Sequence, residues 1–309
     1  MNIMACFRTS SLMLLLLAMA GPLAAKPAVN PDGLTLASVN AAVALAGSNE
    51  LLHDKHANRV VPVASLTKLM TALVVMESGA PLNEWLEVYP RHIPAEANAY
   101  SRIRKTSELR RGDMLRIALM SSENLAAYTL ARHHPGGYDA FVAEMNRTAA
   151  RLGMNRSRFV DPTGLSAGNQ STAADLVRLA NAIMAHPKIG EYSTTRYFTA
   201  RFRQPRYSLP YGNTNVLVHR QSWGVALTKT GYLEEAGRCL LMISEMQGKP
   251  VITVLLDSFG TRSPIGDAGR VKRWLQTGDS GRVAGAAYRY EQKKNAHHAA
   301  RGGTATATR

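Results

Sequence analysis
Residues 225–257 hold runs of strand character at 225–230, 238–246 and 251–257, separated by the turn-rich pieces 234–237 and 247–250. Connections this short leave only antiparallel neighbours, because a parallel crossover needs about a dozen residues or more. The chain is thereby committed to an antiparallel meander near one end. Near the other, 37–45 and 51–53 read as short strands around Gly47-Ser48-Asn49, a hairpin. A helix beginning at Ser65 stops near Ser78-Gly79, with Pro81 just beyond, and the pattern then turns mostly helical. Apolar residues recur at helical spacing over 113–133, over 138–152 with Gly153 as a stop, and over 172–186 with Pro187 after it. A last helix, 267–276, stops at Gly278. Strands at both ends and helices between them predict an α/β protein of the α+β kind. It has one antiparallel sheet built from both termini and a helical lobe inserted at roughly 80–210. The cleft between sheet and lobe is the natural place for a site.

The first residues point to export. Arg8 precedes a nearly unbroken apolar run over 12–20, and Leu23-Ala24-Ala25 ends in small residues, the pattern of a secretory signal peptide at 1–25. The run is short for a membrane span, and polar sequence follows from Lys26. The expectation is a periplasmic protein with a catalytic domain over 26–279. Cys6 leaves with the signal, so Cys239, set among Leu240, Leu241 and Met242, stands alone as a buried structural thiol with no disulfide to make. The formal charge is +15, and the segment from Ser280 carries six Arg or Lys against one Glu. Its Ala, Gly, Lys, Arg and Thr composition predicts a disordered basic tail over 280–309. An exported chain meets little nucleic acid and no RNA-binding pattern is present, so an acidic wall polymer or a membrane surface is the partner class for such a tail.

In Val63-Ala64-Ser65-Leu66-Thr67-Lys68-Leu69-Met70, a helix start places Ser65 and Lys68 on one face, an amine within reach of a hydroxyl. Leu66, Leu69, Met70 and Leu73 fall on another side and anchor the segment in a core. A lone Ser-x-x-Lys arises by chance about once in a chain this long. Ser122-Glu123-Asn124 in the helical lobe and Lys229-Thr230-Gly231 at the end of the first late strand remove that ambiguity. Ser-x-x-Lys, Ser-x-Asn and Lys-Thr-Gly, in this order, are the signature of active-site serine penicillin-binding proteins and β-lactamases. Ser38-Val39-Asn40 precedes the nucleophile and Lys105-Thr106-Ser107 lacks the glycine, so neither competes.

From the Ser65 region to about Thr277 the chain resembles the low-molecular-mass penicillin-binding proteins of the D-alanyl-D-alanine peptidase family, with their β-lactamase-like fold. The resemblance is carried by Ala64-Ser65-Leu66-Thr67-Lys68-Leu69-Met70-Thr71 and by Phe159-Val160-Asp161-Pro162-Thr163-Gly164-Leu165-Ser166. Ser122-Glu123-Asn124 followed by His134-Pro135-Gly136-Gly137-Tyr138 resembles the short soluble members that act as endopeptidases. About thirty low-complexity residues follow Gly278, fewer than the extra β domain of the membrane-bound carboxypeptidases needs.

The resemblance implies a serine peptidase acting on peptidoglycan stem peptides and their D-alanyl-diaminopimelyl cross-links, inhibited covalently by β-lactams and needing no cofactor. It makes Ser65 the nucleophile, Lys68 its base and Ser122 a proton relay. Asn124 holds the substrate amide, Lys229 supplies positive field, and Thr230 binds the substrate carboxylate. Gly231 admits the substrate to the strand, and the N–H groups of Ser65 and Tyr232 form the oxyanion hole. A neutral Lys68 requires burial and a nearby cation, a part assigned to Lys229. Asp161 is read as loop architecture. The alternatives are a D-alanyl-D-alanine carboxypeptidase, a non-catalytic penicillin-binding sensor and a basic wall-binding scaffold. No Glu-x-x-x-Asn segment falls between Ser122 and Lys229, which argues against a class A β-lactamase. No His-Glu-x-x-His, Cys-x-x-Cys or phosphate-loop pattern occurs, so metal and nucleotide chemistry have no support.

Overall fold
The computed structural model describes residues 30–92 and 100–306; the expected signal peptide lies outside them. After a single 3₁₀ turn the chain forms the hairpin β1 (Ser38–Leu45) and β2 (Leu51–Lys55), then the short strand β3 (Val61–Pro62). A 3₁₀ turn, Ala64–Leu66, leads into α1 (Thr67–Glu77). The two-stranded pair β4 (Trp85–Glu87) and β5 (Glu108–Arg110) precedes α2 (Arg111–Met120), α3 (Asn124–Arg132) and α4 (Gly137–Arg151). Next come β6 (Gln170–Ser171), which pairs with β3, then α5 (Ala173–Ile183) and α6 (Pro187–Ser193). The hairpin β7 (Tyr197–Phe202) and β8 (Tyr207–Gly212) closes the lobe. The meander β9 (Val225–Leu233), β10 (Gly237–Met246) and β11 (Lys249–Ser258) follows, then α7 (Ser263–Thr277) and α8 (Gly285–Thr306).

The main sheet runs β2-β1-β11-β10-β9, antiparallel throughout, so the N-terminal hairpin joins the C-terminal meander at the β1–β11 pair as expected. Alternation along the strands sends Ala42, Val254, Leu241 and Ile243 into the large core shared with α1–α5. Val43, Leu255, Leu240 and Met242 face a second core closed by Val271 and Trp274 of α7. Strand β9 is an edge, and its free side faces the start of α1. Among the described residues no helix is long and apolar enough to cross a membrane.

Four expectations need correction. The continuous helix over 113–133 is two helices, because Glu123 turns its carboxylate back onto the Ala126 N–H and Ser122 takes a left-handed backbone, φ +60°. The lobe is not wholly helical, since it carries the β7–β8 hairpin. Helix α7 begins at Ser263, with Pro264 preset for a first helical turn. The basic segment expected to be disordered is helical over Gly285–Thr306. Its anchors are spaced as one helix face: Tyr290 Oη donates to Asp257 Oδ1 (2.5 Å), Glu291 pairs with Lys55 (2.9 Å) and Lys294 with Asp257 (3.1 Å). Those partners lie on the distant sheet, where composition cannot point to them.

Candidate active site
Ser65 sits in the middle of the 3₁₀ turn rather than on the first α-helical turn, preceded by Ala64 at φ +46°. Two glycines make that geometry fit. A Cβ on Gly164 would lie 2.0 Å from the Ala64 carbonyl oxygen, and one on Gly231 would lie 3.2 Å from the Ser65 nitrogen. Ser65 is thus clamped between a loop and strand β9. Left-handed backbone at two non-glycine residues, Ala64 and Ser122, marks both edges of the site as strained.

Lys68 extends from the first turn of α1 and is 1% exposed. Its Nζ lies 2.9 Å from Ser65 Oγ, 2.7 Å from Asn124 Oδ1 and 2.5 Å from the Thr163 carbonyl oxygen. The amide and carbonyl oxygens only accept, so they consume two amine hydrogens. The remaining tetrahedral position faces Ser65. It holds a third hydrogen when the amine is charged and a lone pair when it is neutral. Burial pulls the pKa down to about 7, against the opposing pull of Asp161 and Glu123, while Arg91 lowers it further.

The Thr163 carbonyl is held in place by Asp161. One carboxylate oxygen accepts from the Thr163 N–H (2.6 Å), the Thr163 hydroxyl (2.5 Å) and the Gly164 N–H (2.8 Å). The other accepts from the Ser166 N–H (3.0 Å) and Asn169 Nδ2 (2.5 Å). Asp161 is loop architecture, as expected, and that loop also delivers an acceptor to Lys68 and a charge that opposes its deprotonation.

The opposite wall is the α2–α3 junction. Asn124 opens α3 and spends its Oδ1 on Lys68, leaving its Nδ2 hydrogens for a ligand carbonyl. Ser122 is half-buried and lines the cleft. Glu123 between them is buried, which pushes its carboxyl pKa up.

The third wall is β9, which continues beyond the Lys-Thr-Gly triplet to Leu233 rather than ending there. Thr230 and Gly231 line the cleft, and Thr230 Oγ1 lies 2.7 Å from Thr214 Oγ1. Tyr232 is half exposed, with the Arg238 guanidinium 3.9 Å above its ring. Lys229 is as buried as Lys68, and its Nζ donates to the Thr230 carbonyl (2.8 Å). Burial, then the charge of Lys68, pushes the Lys229 pKa well below the lysine range. Burial and the neighbouring charge of Lys68 thus both work against the ammonium form that the expected role of Lys229 as a cation requires.

The cleft between these walls measures about 620 Å³ and brings Ser65, Ser122, Asn124, Thr230, Gly231 and Tyr232 together, with Lys68 and Lys229 beneath its surface. Thr214 and Arg238 also line it. The triplets did not reveal them, and no local motif marks either one. Burial pushes the Cys239 thiol up to about 12, in keeping with an inert structural cysteine.

A family model described as D-alanyl-D-alanine carboxypeptidase matches residues 26–260. A D-alanyl-D-alanine endopeptidase of Escherichia coli (strain K12) is 46% identical over 288 residues, covering 93% of this chain and 92% of that protein. One from Pseudomonas aeruginosa is 44% identical over 260 residues, covering 84% of each. Among solved structures, penicillin-binding protein D2 from Listeria monocytogenes in its cefotaxime-bound form superposes with a TM-score of 0.69 at 29% identity. That match covers 79% of this chain and 99% of that one. The Streptomyces K15 DD-transpeptidase, 24% identical with a TM-score of 0.71 over 78% of this chain and 98% of its own, shares the fold.

Proposed function
Because the chain belongs to the D-alanyl-D-alanine carboxypeptidase family, we propose that it is a serine DD-peptidase cleaving the D-alanyl-diaminopimelyl cross-links of peptidoglycan through a Ser65 acyl-enzyme. The observation that carries this reading is the Lys68 amine. Two of its positions are taken by pure acceptors, the third faces Ser65 Oγ at 2.9 Å, and its pKa is lowered to about 7. A neutral Lys68 accepts the Ser65 proton as Oγ attacks the D-alanyl carbonyl. The oxyanion meets the N–H groups of Ser65 and Tyr232, the strand being brought against the nucleophile at Gly231. Asn124 Nδ2 donates to the acyl-side amide, and Ser122 passes the proton to the departing amine. That amine sits on a carbon bearing a free carboxylate, which Thr230 and Thr214 bind by hydroxyls. The carboxylate also supplies the negative charge that lets Lys229 keep its proton. Water then takes the place of the amine and releases Ser65. In a β-lactam the amine stays tethered to the acyl group, so the adduct persists.

The same geometry can trim a terminal D-alanine, whose leaving group carries the same carboxylate. Endopeptidase action is preferred because the Escherichia coli and Pseudomonas aeruginosa relatives, 46% and 44% identical, carry that name. Incubation with purified cross-linked dimers and with pentapeptide monomers tests it: dimers fall to monomers, and Ser65→Ala loses both that activity and the covalent adduct with labelled penicillin. Trimming of monomers with dimers left intact makes the protein a carboxypeptidase. An adduct without turnover makes it a sensor, and wall affinity without an adduct makes it a scaffold.

The site of action is the periplasm, reached by the signal peptide at 1–25. There the outward side chains of α8, Arg289 and Lys293 among them, give loose contact with anionic membrane or wall surfaces. Pelleting with anionic vesicles is expected at about 0.15 M salt and not at about 1 M. Pelleting that ignores salt, or survives deletion of 280–309, contradicts that contact.

A further inference from the structure
A second cavity of about 270 Å³ adjoins the cleft and shares Ser122 and Asn124 with it. Its walls come from three places: Tyr211 at the end of β8, Ser101 and Arg102 from the segment before β5, and Glu123 at the α2–α3 junction. Arg102 is held although exposed. Its Nη2 donates to the Pro210 carbonyl (2.6 Å), and its guanidinium lies 5.1 Å over the Tyr211 ring. The junction is tied to the same hairpin by Ser121 Oγ, which donates to the Gly212 carbonyl (2.5 Å). A fixed cation at the rim and a buried carboxylate at Glu123 therefore face one small polar chamber that opens only a residue away from Ser65's partners.

We propose that this chamber is a specificity subsite for the side chain on the acyl side of the scissile bond. It recognises an amino-acid terminus that carries both an ammonium and a carboxylate. The inference rests on the acyl-enzyme reading of Ser65. The leaving side of the substrate is drawn toward Thr230 and Thr214, because its carboxylate adjoins the scissile nitrogen. The acyl side then passes Asn124, whose Nδ2 is free to hold its amide. The residue beyond the D-alanine emerges where the second cavity opens. In a cross-linked stem that residue is diaminopimelate, whose methylene arm ends in a free amino-acid group. Arg102 takes the carboxylate with the N–H groups not spent on Pro210, and Glu123 supplies negative potential for the ammonium. Without the arm's charged end, the subsite gains nothing from either group.

The test compares cross-linked dimers whose acyl-side diaminopimelate carries its free carboxylate with dimers in which that carboxylate is amidated. The native enzyme is expected to favour the free acid by about tenfold or more in kcat/KM, carried by KM, the scale of a charge-assisted hydrogen bond. Arg102→Met is expected to cut the native dimer to the amidated level, and Arg102→Lys to recover part of the preference. Acylation by benzylpenicillin, which has no such arm, is expected to stay within about twofold in Arg102→Met. A native enzyme indifferent to amidation overturns the proposal with no variant needed. So does an Arg102→Met protein that acylates normally and still discriminates. Failure of benzylpenicillin to acylate the native protein instead refutes the reading of Ser65, a separate outcome.

Discussion

Lys68 and Lys229 are buried to the same degree on facing walls of one cleft, yet the structure treats their charges differently. Lys68 stands on a helix whose surroundings give it the Asn124 and Thr163 oxygens and the fields of Asp161 and Glu123. Its pKa stops at about 7. Lys229 stands on an edge strand with one backbone carbonyl, no carboxylate among the groups acting on it, and the charge of Lys68 against it. Desolvation is common to both, so the difference comes from what each wall holds. The helix wall is set to gain and lose a proton near neutral pH, while on the strand wall burial and the charge of Lys68 both disfavour the ammonium.

Substituting each lysine in turn separates the walls most sharply. Lys68→Met keeps the length of the buried stem and removes the amine hydrogen-bonded to Ser65. Acylation by penicillin and by dimer is expected to fall about a thousandfold, within the range of a lost general base. Lys229→Met is expected to cost roughly ten- to a hundredfold, mainly in KM, because it removes a partner for the leaving-side carboxylate. Masking that carboxylate as an amide should shrink the Lys229→Met penalty and leave the Lys68→Met penalty whole. Equal penalties on the masked substrate mean that Lys229, too, acts on the proton of Ser65, and the contrast between the walls fails.

The sequence made one side of this contrast visible and hid the other. Ser65 and Lys68 are a local pair, set by helical spacing, and the meander and N-terminal hairpin follow from short turns between strand runs. Those features persist because they are local. The break at Ser122 was hidden because α2 and α3 both turn apolar positions into one core, so the periodic pattern over 113–133 runs through it. The β7–β8 hairpin left a trace in the alternating exposure of Tyr197–Phe202, a period-two signal inside a stretch read as helical. Helix α8 was masked by its composition, since its holds on Asp257 and Lys55 are long-range. Thr214 and Arg238 reach the cleft from a loop and a neighbouring strand, and no spacing rule connects them to Ser65. The field around Lys229 was hidden for a related reason. It depends on which carboxylates lie near in space, and the nearest ones serve Lys68.

The finest test of the contrast is the acid limb of acylation. Protonated Lys68 has no lone pair for the Ser65 proton, so the rate rises with pH as the amine loses its charge, with a midpoint near 7. Two neighbours pull that midpoint in opposite directions. Asp161 favours the charged amine, so Asp161→Asn should move the limb to lower pH. Arg91 disfavours it, so Arg91→Met should move the limb higher. Each shift is expected to be on the order of half a unit, since both charges act across the site rather than in direct contact with Nζ. The two variants differ in structural cost. Arg91 rests its guanidinium 5.0 Å over the Tyr128 ring with Nη2 unpartnered among the described residues, so its loss should be mild. Asp161→Asn turns an amide group toward the Ser166 N–H or Asn169 Nδ2, both donors, and should lower the absolute rate as the loop loosens. The midpoint is therefore the readout, followed by penicillin acylation across pH 5 to 9. Opposite shifts identify Lys68 as the titrating base; two stationary midpoints, or two that move together, assign the limb to another group.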